Sequence, residues 1–305
     1  MKVAFNRQPR RSPWGGGAHF ATTFADYLVA RGHEVVYALQ PGLDWIVMLD
    51  PRHEDGGFDA GRIAGYKLQN TGVKVLHRVN DTGVTRGGQE LDDMIRKANH
   101  LVADVTVYIS RWVQQHFRKQ MCPEGVVITN GCDERYFHPN AIMSLHSPVR
   151  LVTHHWSNNP KKGVDLYERI DELIDCGANL EFTYVGRYPA GHVPKHTKVV
   201  APLYGHALGD ELRKHDVYVT AARHEACGSH HVEGAACGMP VIYHNEGGGV
   251  VEMCSRYGIG IDRVEEFKKA LDEIVADYRG YREKALSCDL SADTMCAKYL
   301  GVMVP

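Results

Sequence analysis

The chain has 305 residues, enough for two domains that each bury a core of their own. Hydrophobic residues make up 44% of it and charged residues 24%, the balance of a globular protein, and there is no run of about 18 apolar residues to span a membrane. A formal net charge of -2 excludes the global basic field of a typical nucleic-acid or anionic-membrane binder, although Arg7, Arg10 and Arg11 form a local basic cluster.

The opening MKVAFNRQPRR reads as a short strand and a polar loop, not as a signal peptide. After the strand Lys2–Phe5 comes the glycine-rich turn Trp14-Gly15-Gly16-Gly17. A helix follows over Gly17–Arg31, with Phe20, Phe24 and Leu28 recurring every four residues, and it stops at Gly32. Further strands are predicted at Glu34–Leu39, Trp45–Leu49, Lys74–Val79, Val105–Ser110 and Val126–Thr129. Turn formers interrupt the rhythm at His138–Pro148. Strands then resume at Arg150–Thr153, Glu181–Val185, Lys198–Val200, Val217–Thr220 and Val241–Tyr243, before a helix at Ser291–Tyr299 that packs back on the first half.

Strands alternating with helices along the whole chain predict an α/β protein with parallel sheets. Residues 103–112 and 215–225 share one pattern, a helix end, a strand and a polar switch, so the halves are expected to be two doubly wound units facing a cleft. The expected domains are 1–140, 141–289 and a C-terminal helix at 290–305. Eight scattered cysteines, including Cys122 and Cys132, form no CxxC pair, which points to reduced thiols and a cytoplasmic setting.

The segment with most chemistry is HEACGSHHVEGAACGMP, His224–Pro240, between two predicted strands. A helix starting at Gly228–Ser229 would offer free N–H groups to a pyrophosphate. Glu225 would then lie in the loop before it and Glu233 just over one turn in, both suited to accepting hydrogen bonds from hydroxyls. The plain alternative is a solvated pair of acids at a helix N-terminus. The turn at Gly16 and Gly17 lets backbone approach a ligand ahead of a helix N-terminus, but it is not GxGxxG and does not argue for a dinucleotide. The segment His77-Arg78-Val79-Asn80-Asp81 leaves an apolar strand, so its polar side chains are expected at the C-terminal edge of a sheet, where open α/β sheets bind ligands. The pairs His154-His155 and His230-His231, with Cys227 nearby, lack the second matched pair of a zinc site.

Glu225, Gly228, Glu233, Gly238-Met239-Pro240-Val241, Gly248-Gly249 and Glu252 are six features in order over 28 residues. With NGCDERYFHP at 130–139, Lys162-Gly163 and Val185-Gly186, they make the chain resemble the retaining glycosyltransferases of GT-B fold, the sucrose synthase and glycogen synthase type (glycosyltransferase family four-like). The resemblance implies two Rossmann-like domains with the nucleotide-sugar donor in the C-terminal one. It implies that Glu225 contacts donor-sugar hydroxyls, that Glu233 holds the ribose, and that Lys162 grips the diphosphate. Gly228, Ser229 and His230 would line the donor loop, Gly16 and Gly17 would face the donor phosphates, and His77 would lie near the reacting sugar carbon. The family's phosphate-binding Arg is missing; His155, Trp156 and Ser157 stand there, and His155 or Arg187 could substitute.

The reaction implied is sugar transfer from a nucleoside-diphosphate sugar with retention, no resident cofactor and no metal. The acceptor (a glycan, a lipid-linked sugar, a small molecule or a modified nucleic acid) is open. Arg7, Arg11, Arg78 and Asp81 are its candidates, or candidates for a phosphate, and a peripheral membrane contact is compatible with them. Two other readings stay open: a nucleotide-sugar 2-epimerase, and a sugar-nucleotide-binding protein without turnover.

Overall fold

The computed structural model describes the chain apart from residues 14, 53–56, 86–87, 121–123, 141–143 and 305. Trp14 of the glycine-rich turn, Cys122, and residues 141–143 of the turn-rich segment therefore lie outside the described residues. The backbone separates into two compact units, residues 1–130 with 292–305, and residues 131–291. The second unit starts at Gly131, ahead of the segment His138–Pro148, because Cys132 is already tied to the far end of that unit: its N–H donates to the Leu290 carbonyl at 2.8 Å.

The first unit runs β1 (Lys2–Phe5), α1 (Gly16–Val29), β2 (Glu34–Val36), β3 (Trp45–Met48), α2 (Ala60–Gln69), β4 (Lys74–Val79), α3 (Gly88–Val102), β5 (Val105–Tyr108), α4 (Arg111–Arg118) and β6 (Val126–Val127). Its six-stranded sheet has the order β2-β1-β3-β4-β5-β6, and every neighbouring pair is parallel. Side chains alternate across a strand, so Val3, Phe5 and Val47 meet Phe20, Phe24 and Leu28 of α1 on one face. Ala4, Ile46 and Met48 meet Ile63 of α2 and Val102 of α3 on the other. A sheet covered on both faces needs apolar residues at every position, which is why these strands read as unbroken apolar runs.

After the second unit the chain returns as the last helix of the fold, Ala292–Met303, which packs on α1. Its Tyr299 ring lies 4.7 Å from Phe20 and 5.5 Å from Phe24. Burial of each such aromatic stabilises the unit by about 1.5–3 kcal/mol.

The second unit runs β7 (Val149–His155), α5 (Val164–Asp175), β8 (Leu180–Gly186), β9 (Lys198–Val200), α6 (His206–Leu212), β10 (Val217–Thr220), α7 (Ser229–Ala236), β11 (Val241–His244), α8 (Gly249–Cys254), β12 (Gly258–Ile261), α9 (Phe267–Ala276) and α10 (Tyr278–Leu286). Its six-stranded sheet, all parallel, has the order β12-β11-β10-β7-β8-β9. Leu151, Val217 and Val219 face α5 and α9, whereas Val152, Tyr218 and Val241 face α6, α7 and α8.

Two boundaries bear on the site. β7 extends through His155 and pairs with β8 to the end, so both histidines belong to a strand and not to the loop after it. β12, with the sequence GIGI, was not expected from the sequence, because two glycines in four residues leave little strand propensity. A side chain at Gly258 would stand 2.0 Å from the Val241 carbonyl oxygen, so the glycine is what lets this edge strand approach β11.

Candidate functional site

Open parallel sheets bind ligands outside the C-terminal ends of the strands where strand order reverses. In the second unit the reversal lies between β7 and β10. The loop leaving β7 carries Lys161-Lys162-Gly163, and the loop leaving β10 carries Arg223 to Gly228. Gly163 has φ 83 and its Cα faces Ala221 so closely that a Cβ would stand 2.1 Å from the Ala221 Cβ. The Arg223 N–H donates to the Lys161 carbonyl at 2.9 Å. These contacts press the two loops together, and Lys162 Nζ donates to Glu225 Oε2. The pair is 17% and 18% exposed, dry enough to strengthen its electrostatics and open enough for a ligand to reach it.

His224 sits in the left-handed region at φ 54, an uncommon place for a residue with a side chain. Backbone lacing holds it there: His224 N–H donates to the Glu246 carbonyl at 2.8 Å, Glu225 N–H to Gly247 at 3.2 Å, and Gly249 N–H to Glu225 at 2.8 Å. The lacing brings the Gly247-Gly248-Gly249 run beside Glu225. α7 then starts at Ser229 behind Gly228, which supplies no side-chain cap, so the first N–H groups of the helix carry partial positive charge toward the loop.

One turn further, Glu233 is buried and its Oε2 lies 2.7 Å from His154 Nε2. Alternation along β7 puts His154 on the α7 face and His155 on the α5 face, where His155 Nε2 lies 2.8 Å from the Tyr167 hydroxyl. Burial, and then the nearby Lys162 charge, hold His155 well below the usual histidine range. A neutral His155 is therefore not the cation that replaces the missing family Arg.

The second His pair also turns inward. His230 is buried with Nε2 2.9 Å from the Thr220 hydroxyl, and burial followed by the neighbouring His155 and Lys162 holds it well below its usual range. His231 is fully buried, bonded through Nδ1 to the Tyr257 hydroxyl at 3.1 Å, and pushed down to about 3 by burial. The turn of α7 sends His231 into the core. Among the described residues no group of three or more His, Cys, Asp and Glu side chains is arranged to hold a metal ion.

In the first unit α1 starts at Gly16, and a Cβ on Gly17 would stand 2.9 Å from Asn80 Nδ2 and 3.7 Å from Arg7 Nη1. The glycine-rich turn, Arg7 and Asn80 thus share one place at the C-terminal end of this sheet. Arg7 Nη1 is also 4.0 Å from Asp50 Oδ2, and Arg11 makes two hydrogen bonds to Asp26, at 2.8 and 2.9 Å. Asp81 is buried and accepts from the Thr82 N–H at 3.0 Å.

His77 and Arg78 require correction. Neither emerges at the strand end: both lie inside β4 and each is only 1% exposed. His77 Nδ1 donates to Asn99 Oδ1 at 2.5 Å, and burial pushes the ring down to about 4. Arg78 donates from Nε to the Tyr299 hydroxyl at 3.1 Å and from Nη2 to Asn130 Oδ1 at 2.7 Å, with its guanidinium 4.1 Å from the Phe20 ring centre. Both tie the core of their unit.

Residues 183–288 match the family model of glycosyl transferases group 1. This segment is similar to the group 1 glycosyltransferase domain. It contains Glu225, Gly228, Ser229, His230 and Glu233, while Lys162 and His154 precede it and are joined to it by the contacts above. Among curated proteins none matches the chain by sequence.

Solved structures extend the likeness to the whole chain. The chain superposes on Anabaena Alr3699/HepE, solved with UDP and glucose, with a TM-score of 0.74 at 14% identity over 99% of both chains. It superposes on the sucrose-phosphate synthase of Thermosynechococcus elongatus with a TM-score of 0.72 at 14% identity, over 99% of this chain and 98% of that one. WaaG, a glycosyltransferase involved in lipopolysaccharide biosynthesis, gives 0.71 at 14% identity over 100% of both. At such identities the likeness is one of fold, and the fold is GT-B, with two Rossmann-like units. His154 and Tyr218 are the site residues that sequence reasoning missed: the His-His pair was visible, but only the true end of β7 assigns one ring to each face.

Proposed function

We propose that this glycosyltransferase takes a nucleoside-diphosphate sugar in its second unit and transfers the sugar to an acceptor hydroxyl with retention at the anomeric carbon. The observation that carries the reading is the Lys162–Glu225 pair set against the start of α7 at the reversal of strand order, with Glu233 one turn inside. A diphosphate fits between the Lys162 ammonium and the α7 N–H groups. Donor-sugar hydroxyls then suit Glu225, and ribose hydroxyls suit Glu233.

Breaking the bond between the anomeric carbon and the phosphate oxygen leaves positive charge on the sugar and a new negative charge on the diphosphate. Lys162 and the α7 dipole stabilise that new charge. The acceptor oxygen bonds to the anomeric carbon on the face the phosphate leaves, and its proton passes to the departing phosphate oxygen. No resident metal is part of this proposal.

The test begins with UDP-glucose and a panel of UDP-, GDP- and ADP-sugars screened for thermal stabilisation, since a tight ligand raises the melting temperature by mass action. The stabilising donor is then incubated with glycan and lipid-linked acceptors, and product is analysed by NMR for its anomeric configuration. Transfer with retention and release of the nucleoside diphosphate is the expected result. Conversion of the donor to an isomer without transfer would replace the reading with an epimerase, and binding without consumption would remove the activity.

A further inference from the structure

A carboxylate that holds two ribose hydroxyls has to keep one rotamer, and Glu has three rotatable bonds with which to leave it. Glu233 is held. Its Oε2 is 2.7 Å from His154 Nε2, and His154 Nδ1 is in turn 3.1 Å from the Tyr218 hydroxyl. The His154 backbone N–H donates to the same hydroxyl oxygen at 3.1 Å. The three residues are 7%, 9% and 0% exposed, so little water competes for these bonds.

Two bonds of this chain have a set direction. Burial pushes the Tyr218 phenol well up, so it keeps its proton. Its oxygen accepts from the His154 N–H, and its hydrogen has His154 Nδ1 at 3.1 Å and the His154 carbonyl oxygen at 3.5 Å within reach. An ionised carboxylate only accepts, so the hydrogen of the 2.7 Å contact lies on His154 Nε2 and faces Glu233. The His154 backbone N–H donates to Tyr218 and the His154 ring donates to Glu233, with the Tyr218 hydroxyl against Nδ1.

Helix and strand are locked at the same place. A Cβ on Gly234, the residue after Glu233, would stand 2.4 Å from the Tyr218 ring, so α7 rests directly on the ring that aligns His154. The His154 and Tyr218 rings meet edge to face, 5.6 Å apart at 79°.

We propose that His154 is a positioning residue for donor recognition: aligned by Tyr218, it fixes Glu233 in the rotamer that accepts the ribose hydroxyls. The inference rests on the ribose reading of Glu233 given above, and the experiment separates the two. Binding of UDP, with ADP and GDP in parallel, is measured by calorimetry against the 2′,3′-dideoxy form of whichever binds. The native chain should prefer the ribose form. His154→Phe keeps the ring shape and removes the donor; it should weaken the ribose form about tenfold and leave the dideoxy form unchanged, as expected for one charge-assisted hydrogen bond. His154→Gln restores an N–H donor and should recover most of the preference. In Glu233→Ala the preference should vanish, and adding His154→Phe should weaken binding no further.

Loss of the preference in Glu233→Ala but not in a folded His154→Phe would overturn the positioning role and leave the ribose reading intact. Equal loss in the Phe and Gln variants, both folded, would make ring shape responsible and overturn it too. An undiminished preference in Glu233→Ala, or no binding of any of the three diphosphates, would remove the ribose reading and this inference with it. Should His154→Phe fail to fold, Tyr218→Phe removes only the hydroxyl that directs Nδ1. It should lower the preference about two- to threefold, the size of a single neutral hydrogen bond, and an unchanged preference would overturn the proposal.

Discussion

At the reversal of strand order in the first unit, between β1 and β3, Asn6 commits its whole amide to backbone: it accepts from the Leu49 N–H at 2.7 Å and donates to the carbonyls of Asp50 and Phe58. Further along the same sheet His77 and Arg78 are closed into Asn99, Asn130 and Tyr299. At the reversal in the second unit, Lys162 meets Glu225 and His154 meets Glu233, each pair joining a strand or loop to a partner far along the chain. Asn6, His77 and Arg78 of the first sheet hold structure, while Lys162, Glu225 and Glu233 at the second reversal are charged groups that a ligand can engage. Polar residues at a sheet's C-terminal edge are therefore not equivalent; what decides their use is whether their partners are fixed backbone and amide groups or ionic groups left partly exposed.

The sharpest test of this contrast is Lys162→Ala. Charge develops on the leaving phosphate in the transition state, so removing the ammonium should lower turnover by about 10²–10³ while changing donor affinity less. Lys162→Arg should recover part of the rate, because the charge survives with altered geometry. Near-normal turnover in Lys162→Ala at saturating substrates would show that the loop is not the phosphate clamp.

The two glutamates divide next. Glu233→Ala should weaken binding of the free nucleoside diphosphate about ten- to a hundredfold, the loss of a charge-assisted hydrogen bond of roughly 1.5–3 kcal/mol. Glu225→Ala should spare the free diphosphate and weaken only the nucleotide sugar. Equal losses for both ligands in both variants would erase the distinction.

Arg78→Leu probes the other side of the comparison. Losing the hydrogen bonds to Tyr299 and Asn130 should cost about 1.5–3 kcal/mol of stability, seen as a lower melting temperature, with nucleotide affinity unchanged. A stable variant with weakened donor binding would move Arg78 from the core into the site.

The smallest effect is a difference in pH response. Histidines held neutral in the folded state take up protons on unfolding below the ordinary histidine value, so their contribution is present above about pH 6.5 and is lost as pH falls toward their folded values. Those values are about 4 for His77 in the first unit and about 3 for His231 in the second. His155 and His230, lowered in the same direction, add to the second unit alone. Each contributes at most about 1.4 kcal/mol per pH unit. Hydrogen exchange corrected for intrinsic rates should therefore show the second unit losing protection more steeply than the first between pH 7 and 5. Parallel losses would mean that the buried histidines do not set the difference.

Much of this protein was legible in local pattern. The apolar runs placed β4, β9 and β10 at their observed bounds, and the glycines of the 225–252 segment marked the loop and helix of the site, because strand burial and turn conformation act over a few residues. Glycine also hid what it built: β12 escaped notice because its fit depends on closeness to β11, not on propensity. The bounds of β4 did not show that His77 lies in the core; its place opposite Thr106 of β5 and its bond to Asn99 do.

Sequence by itself determined the α/β class, the alternation of elements and the residue types brought to the loop between β10 and α7, since periodicity and motif spacing are properties of neighbours. Only the tertiary structure decided which of four histidines in two adjacent pairs reaches a carboxylate, and that Lys162 answers Glu225. Those partners stand 79 and 63 residues apart in the chain, and nothing local to either end encodes the meeting. The parallel order of β7 beside β10 makes it, by bringing the ends of two distant strands to one edge.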